Sequence, residues 1–359
     1  MAVIQAKNVA APLMNIVRFK GMPILEQLHL EERIFRTSSN NWCIINDGTN
    51  APTIVMGVSG KPSELLELKL VLQDKVPVVR RFTGGGTVIV DPGTIFVTFI
   101  CNKDAVPNVE LYPRPIMSWS GQIYEDVFRG IGDFHLRDND YVFGNRKFGG
   151  NAQSISRRRW IHHTSFLWDY DVRNMAYLKV PKRAPEYRSA RSHVEFVCRI
   201  KDYLSTSDFI NRTVKVVRNR FSLAPMQLEE VNIHAKTSFD HSSRLLTKAE
   251  LEAAFVSENL YREGTGLSQG QFHRKMKDVI RLSNRLNGKP EKEIQDLRRN
   301  LFLMLFSFFA GSTFEGAPKE QHALLELEDT VTSRRKLRSA VVVSSAVLPA
   351  RQRLDFLGW

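Results

Sequence analysis

Three segments of the chain set cations, hydroxyls and carboxylates beside glycines, the combination that anion-handling chemistry needs. In RRFTGGGTVIVD, Arg80 to Asp91, two arginines and Phe82 precede Thr83 and the run Gly84, Gly85 and Gly86, with Asp91 closing the segment. Consecutive glycines cost backbone entropy, and a strand junction tolerates them where the chain needs positive φ or where a ligand must approach the main chain. Cations beside exposed N–H groups then make an anion nest suited to phosphate or carboxylate. A plain glycine turn or bulge would explain the same residues. The loop is neither a GxxxxGKS/T phosphate loop nor a GxGxxG motif opening a helix. In NDYVFGNRKFGGNAQS, Asn139 to Ser154, Lys147 lies one residue before the pair Gly149 and Gly150. A compact ammonium there can neutralise a carboxylate or an α-phosphate, unless Lys147 is a solvent-facing lysine, the common fate of that residue. In WIHHTSFLWDYD, adjacent His162 and His163 on a strand point to opposite faces and cannot chelate one metal from the same side. One can line a pocket while the other meets core or solvent, and a purely structural pair fits equally well.

The elements that must carry these residues are legible from periodicity. Ile24 to Arg36 (ILEQLHLEERIFR) has an amphipathic stripe and is predicted as an early helix. WCIINDG, PTIVMGV, VPVVRRF, TVIV and IFVTFI are β-branched runs bounded by Gly, Pro, Asn and Asp, and are predicted as strands. A second helix is expected over Pro62 to Gln73, with Ser63 a candidate N-cap and Glu64 in its first turn. Others are expected over Ser118 to Arg129, Val194 to Leu204 and Ser207 to Phe221. KFGGNAQSISRRRWIHHTSFLWDYD is expected to form a hairpin around the basic turn Arg157, Arg158 and Arg159. Strands and helices without strict alternation indicate an α+β fold, a mainly antiparallel or mixed sheet with flanking helices.

Composition bounds the rest. The 359 residues are 43% hydrophobic and 25% charged, ordinary globular usage that excludes a disordered chain and allows two domains. The net charge of +13 attracts anions without naming any. Cys43, Cys101 and Cys198 form an odd, widely spaced set with no CxxC, which supports neither a disulfide framework nor a zinc site. LFLMLFSFFA, Leu301 to Ala310, is half of what a membrane helix needs, so no membrane is expected. The first 21 residues carry Lys7, Arg18 and Lys20 without acid, apolar core or secretory cleavage site. An intracellular setting is therefore expected, with cytoplasm, mitochondrion and plastid all open.

In this order, ILEQLHLEERIF, PTIVMGVSGKPSE, VPVVRRFTGGGTVIVD, NDYVFGNRKFGGNAQ, IHHTSFLWDYDVRNMAYLK and PEYRSARSHVEFV resemble the biotin/lipoate protein ligase family, its lipoate protein ligase A branch and the plant-type members in particular. The resemblance covers about Asn15 to Phe221 and runs more weakly to about Phe255. It implies the catalytic-domain fold of that family and ATP-dependent attachment of lipoate or octanoate to a lysine of an acyl carrier through an acyl-adenylate. By similarity Lys147 is the catalytic residue, between acyl carbonyl and α-phosphate. Arg81, Thr83, Gly84, Gly85 and Gly86, with Leu28, Leu30 and Glu31 of the first helix and His163 and Ser165 of the hairpin, would bind the acyl substrate. Asp91, Asn139, Asp140, Gly149, Gly150, Asn151 and Ala152 would bind the nucleotide, Asp140 also holding Mg²⁺. Attack of a carboxylate on ATP brings two anions together, and Lys147, Arg81 and Mg²⁺ would supply the opposing charge. The implied partner is a lipoyl-domain or H-protein-type carrier, often acidic and suited to a basic enzyme; a monomer is expected, and nucleic acid is not. Val90 stands where many members have a histidine, and Thr164 where they have a glycine. No cysteine falls at the position used by the octanoyltransferase branches, which favours adenylate over thioester chemistry.

Two other readings stay open: octanoyl transfer from octanoyl carrier protein, and an inactive ligase-like scaffold binding an assembly or nucleic acid through Arg157–Arg159 and Arg334–Arg338. The expected organisation is an N-terminal segment 1–14, a catalytic domain 15–255 and a basic extension 256–359. In the extension, a partly ordered helical stretch around Phe272 to Ala310 is expected before poorly ordered chain. From Asn259 onward, 17 basic and 11 acidic residues supply +6 of the +13.

Overall fold

The structure, a computed structural model, describes residues 11–228, 230–231 and 239–262, with side chains to 258. The chain divides into one unit of Met1–Phe255 and another of Val256–Trp359. The expectations for Phe272 to Ala310, for Arg334–Arg338 and for the chain beyond lie outside the described residues. No described helix is long and apolar enough to cross a membrane.

The first unit is built on two mixed sheets. β1 (Leu13–Lys20), β2 (Asn41–Asp47), β6 (Thr94–Asn102), β7 (Phe134–Arg137), β8 (Asp140–Phe143), β9 (Arg146–Ile155), β10 (Arg159–Leu167) and β11 (Ser222–Pro225) form an eight-stranded sheet in the order β11-β1-β2-β6-β10-β9-β8-β7. β3 (Thr53–Met56), β4 (Val78–Arg80), β5 (Val88–Val90) and β12 (Arg244–Leu245) form a smaller one in the order β12-β4-β3-β5. β1 runs parallel to both β2 and β11, and β3 parallel to β4; the other pairs are antiparallel. This is the expected α+β architecture. Leu13 and Met14, read as part of an N-terminal segment, instead open β1, because they pair with Ser222 and with Asn41 and Leu223.

Alternation along the strands gives the large sheet two apolar faces. One packs Met14, Cys43, Val97, Phe99, Trp160 and Phe166 under helices α4 (Pro113–Val127) and α6 (Thr206–Arg218). The other packs Val17, Trp42, Ile44, Ile100 and Ile161 under α1 (Ile24–Thr37), through Leu30, Ile34 and Phe35. α1 turns another side to the small sheet, where Ile24 and Leu28 meet Val55, Val79 and Val90. Leu28 and Leu30 are two residues apart, so they point to different sides of a helix and cannot line one pocket together. Val90 is fully buried in that apolar cluster, with no polar partner to miss a histidine.

Several elements depart from periodicity for tertiary reasons. The helix expected over Pro62 to Gln73 is two, α2 (Pro62–Leu65) and α3 (Leu68–Gln73), because Leu66 is fully buried and extended and bridges Leu178. Ser63 lies inside α2, whose N-cap is Lys61 with Pro62 as the first helical residue. α4 begins at Pro113, five residues earlier than expected, since proline is well placed in a first turn. The helix expected over Val194 to Leu204 is a single turn, α5 (His193–Phe196), held by a capping box of Ser192 and Glu195, followed by a 3₁₀ turn at Ile200–Asp202. The hairpin β9–β10 forms as expected, with Arg159 already in the strand and its guanidinium donating to the Asn40 carbonyl.

Candidate active site

Lys147 reaches its position through a β-bulge. β8 pairs Asp140 with Gly150 and Tyr141 with Gly149, then Val142 with Lys147, so Phe148 is the extra residue on β9. Phe148 and Gly149 both turn to the aromatic core: Phe148 is fully buried beside Phe128 and Phe143, and a Cβ on Gly149 would come within 2.8 Å of Tyr141 and 3.2 Å of Phe166. Lys147 and Gly150 therefore share the opposite face, which a regular strand would deny them. There the Lys147 ammonium lies 2.7 Å from Asp140 Oδ1, with its side chain 23% exposed. A Cβ on Gly150 would fall 3.1 Å from Lys147 Nζ and 3.7 Å from Ser165 Oγ, so the missing side chain is the ammonium's seat. Asp140 Oδ2 accepts from the Tyr187 hydroxyl at 2.8 Å. Burial and then the Asp140 charge push the Tyr187 phenol well above its usual range, which keeps it a donor.

The glycine loop between β4 and β5 meets this face through β9 and β10. Arg81 is buried and organises the loop: Nε donates to Thr83 Oγ1 (3.0 Å), Nη1 to the Val55 carbonyl (3.3 Å), and Nη2 to the carbonyls of Gly84 (3.0 Å) and Gly86 (2.8 Å). Burial lowers its guanidinium to about 10, still charged at neutral pH. In a trans peptide the next N–H points opposite the carbonyl, so the N–H groups of Gly85 and Thr87 face away from Arg81, as donors to an anion must. Gly85 has φ +113, and a Cβ there would sit 2.7 Å from Arg81 Nη2 and 3.2 Å from Ala152 Cβ, so only glycine lets the loop close on β9. Arg80 donates to the carbonyls of Val58 and Gly60.

The two histidines do separate to opposite faces. His163 Nδ1 lies 2.9 Å from Glu31 Oε2 and Nε2 lies 3.0 Å from Thr83 Oγ1. His163 thus links Glu31 of α1 to the Thr83 hydroxyl, which also accepts from Arg81 Nε. Glu31 is fully buried, its Oε1 accepts from Gln27 and Thr98, and it reaches the loop through His163. His162 sits on the core face among Tyr141, Thr164 and Gln153, and burial, then the neighbouring His163, lower its imidazole to about 3.

Other expected contacts are placed elsewhere. Gly149 is a packing glycine of the aromatic core, as the bulge requires. Asn151 lies on the Thr164 face: it accepts from the Thr164 hydroxyl at 2.5 Å and donates to the Asn139 carbonyl at 2.9 Å, bracing the β7–β8 turn. Thr164 thus departs from the family pattern on the side away from Lys147. Asp91 ties the small sheet to the chain after β10, accepting from the backbone of Gly93 and Asp171 and from the Asn174 amide. Both Asp140 oxygens are engaged, by Lys147 and by Tyr187, and no trio of His, Cys, Asp or Glu converges among the described residues. Brought together are Lys147, Asp140, Gly150, Ala152, Ser165, His163, Thr83 and the loop glycines. Tyr187 was not foreseen; an aromatic among arginines in PEYRSARSHVEFV is its only signal.

All three cysteines are buried. Burial pushes the thiols of Cys43 and Cys198 up to about 12 and about 11, and that of Cys101 well above its ordinary value. None offers a thiolate nucleophile.

Residues 23–222 match the family described as the lipoyl protein ligase A/B catalytic domain. An inactive lipoate–protein ligase 2 of Plasmodium falciparum is 26% identical over 276 residues, 59% of this chain and 71% of that protein. A probable lipoate-protein ligase A of Mycoplasma pneumoniae is 30% identical over 192 residues, 51% of this chain and 55% of that one, so the chain spans about half that relative's length. Among solved structures, a bipartite lipoate protein ligase of Thermoplasma acidophilum, described with its E2 lipoyl domain, superposes with a TM-score of 0.51 at 17% identity, covering 64% of this chain and 91% of that chain. A lipoate-protein ligase A bound with ATP gives 0.50 at 17%, covering 64% and 93%. At such identity the structural likeness speaks for the fold.

Proposed function

Since the chain belongs to the lipoyl protein ligase A/B catalytic domain family, we propose that it activates lipoate, or octanoate, with ATP and passes the acyl group to a lysine of a lipoyl-domain or H-protein-type carrier. In the first step a carboxylate oxygen of the acid bonds to the α-phosphorus and pyrophosphate leaves; in the second the carrier's neutral ε-amine bonds to the acyl carbon, AMP leaves with the bonding pair and the amine's proton passes to solvent. Magnesium enters as the counter-ion of the ATP substrate, since magnesium is commonly held by substrate phosphates with few protein ligands.

The observation that carries the reading is the Lys147 ammonium seated over Gly150 and held by Asp140, on the face that the glycine loop overlies. A fixed cation there offsets the charge of two reacting anions, then the oxyanion that forms at the acyl carbon. Asp140 and Tyr187 orient Lys147, and the outward N–H groups of Gly85 and Thr87 offer donors to carboxylate or phosphate. Thr83 and His163 hold the loop to β10, which helps exclude water from an anhydride that would otherwise hydrolyse. The buried, protonated thiols argue against the cysteine thioester of octanoyl transfer. The relative named inactive makes retained turnover the point to test.

The test is mass spectrometry of a recombinant lipoyl carrier domain incubated with this protein, ATP, Mg²⁺ and lipoate, beside a Lys147→Ala control and a reaction supplied with octanoyl carrier protein. A lipoyl mass that requires ATP and is reduced about a hundredfold or more in Lys147→Ala is expected, the scale on which removing a transition-state charge partner acts. Modification from octanoyl carrier protein alone would establish the transferase, and none from either donor would leave the scaffold reading.

A further inference from the structure

Glu31 and Glu32 are consecutive on α1 and both fully buried, and each reaches the entry of the glycine loop from its own side. Glu31 does so through His163 to Thr83. Glu32 does so through a segment outside residues 23–222: its Oε2 accepts from the backbone N–H groups of Ser242 (2.9 Å) and Ser243 (3.2 Å). The Ser243 hydroxyl then accepts from the Phe82 N–H at 3.0 Å, with both groups buried. The Ser243 carbonyl lies 2.8 Å from His29 Nε2, a third tie to α1.

The position of this contact gives it its use. Arg81 N–H still bonds across the small sheet to the Met56 carbonyl, and β12 pairs Arg244 with Arg80 just beyond Ser243. Phe82 is thus the first residue past the Arg81–Met56 bond, its N–H has Ser243 Oγ as acceptor, and the Thr83 carbonyl beyond it accepts from the Val58 N–H at 3.1 Å. A buried carboxylate on two backbone N–H groups makes charge-assisted bonds, stronger than neutral ones. It fixes the Ser243 backbone, and so fixes the hydroxyl.

We propose that Ser243 is a positioning residue for the glycine loop, held by Glu32 and setting, through Phe82, the direction in which the N–H groups of Gly85 and Thr87 are offered to the acyl-adenylate. The assignment rests on the proposed ligase reaction for its kinetic consequence and on geometry alone for its structural one, and the two are tested separately.

The full chain carrying Ser243→Ala or Ser243→Thr is compared with the wild type by amide hydrogen exchange without ligands and by initial rates of adenylate formation. Losing one buried hydrogen bond is worth roughly a factor of ten. Ser243→Ala is therefore expected to speed exchange at residues 81–83 about tenfold and to raise the KM for lipoate about tenfold, while the KM for ATP moves less than about twofold. Ser243→Thr, which keeps the hydroxyl, restores both. Unchanged exchange at 81–83 in folded Ser243→Ala overturns the proposal, as does a loss that Ser243→Thr fails to restore. If Ser243→Ala does not fold, Glu32→Gln decides: faster exchange at 242–243 together with 81–83 supports the coupling, and faster exchange at 242–243 alone overturns it. Faster loop exchange in a protein whose wild type forms no adenylate sinks the ligase reading and leaves the coupling standing.

Discussion

A methyl group added at Gly150 would sit 3.1 Å from Lys147 Nζ, and one added at Gly149 would sit 2.8 Å from the Tyr141 ring. The two neighbours should answer the same substitution differently. Gly150→Ala displaces the ammonium from its seat between Asp140 and Ser165, so turnover should fall at least about tenfold with thermal stability little changed, because a misplaced reacting partner costs rate steeply. Gly149→Ala overpacks the core and should cost about 1–3 kcal/mol of stability. Carrier modification rates and urea unfolding of both variants check the pair. The types were legible at this scale, since KFGGN announces a cation at a glycine junction. The facing was not, because it depends on which β8 residue opposes which β9 residue, and the bulge at Phe148 is set by pairing and core packing that no spacing encodes. The same cause moved Gly149 and Asn151 off the site.

Strand β10 shows what one element does with adjacent side chains. His163 enters the network of Glu31 and Thr83, while His162 is buried among Tyr141, Thr164 and Gln153. Period-two alternation in WIHHTSFLW made that division readable from the sequence, and the stripe of ILEQLHLEERIF made α1 readable likewise. The break at Leu66 was not, because Leu66 leaves the helix to bridge Leu178, over a hundred residues away. The burial of His162 has a pH consequence. Its imidazole stays neutral in the fold until about pH 3, whereas in the unfolded chain it takes a proton near its ordinary value of 6.5. Between those values the unfolded state binds the extra proton, so this contribution to stability is present above about pH 6.5 and is lost as pH falls toward 3. One proton corresponds to a slope of about 1.4 kcal/mol per pH unit. His193 and His241 are also lowered by burial and add in the same direction, so the contribution of His162 is isolated by difference. Urea midpoints measured from pH 7 to pH 4.5 should fall less steeply in His162→Gln than in the wild type; parallel curves would show that His162 titrates normally in the fold.

The whole molecule combines an ordered series of segments, readable from sequence, with closures that are not. The order from ILEQLHLEERIF to PEYRSARSHVEFV was enough to place the family and the mixed sheets. The parallel β1, the four-residue β11 that pairs with it and the two-residue β12 are specified by partners distant in the chain, and short strands carry too little periodicity to announce themselves. Charge is the property that belongs to the molecule as a whole, and +13 is legible without any structure. A field of that sign raises the encounter rate with an acidic carrier domain and leaves the chemistry after docking alone. It is also screened: the Debye length falls from about 10 Å at 0.1 M salt to about 3 Å at 1 M. For carrier modification, kcat/KM should therefore fall about tenfold or more between about 0.05 and 0.5 M NaCl, while kcat at saturating carrier changes less than about twofold. Repeating the series with a carrier whose acidic side chains are neutralised separates steering from a general salt effect. A dependence that vanishes with the acidic residues places recognition in long-range attraction, and one that survives their neutralisation is a general salt effect and overturns the steering account.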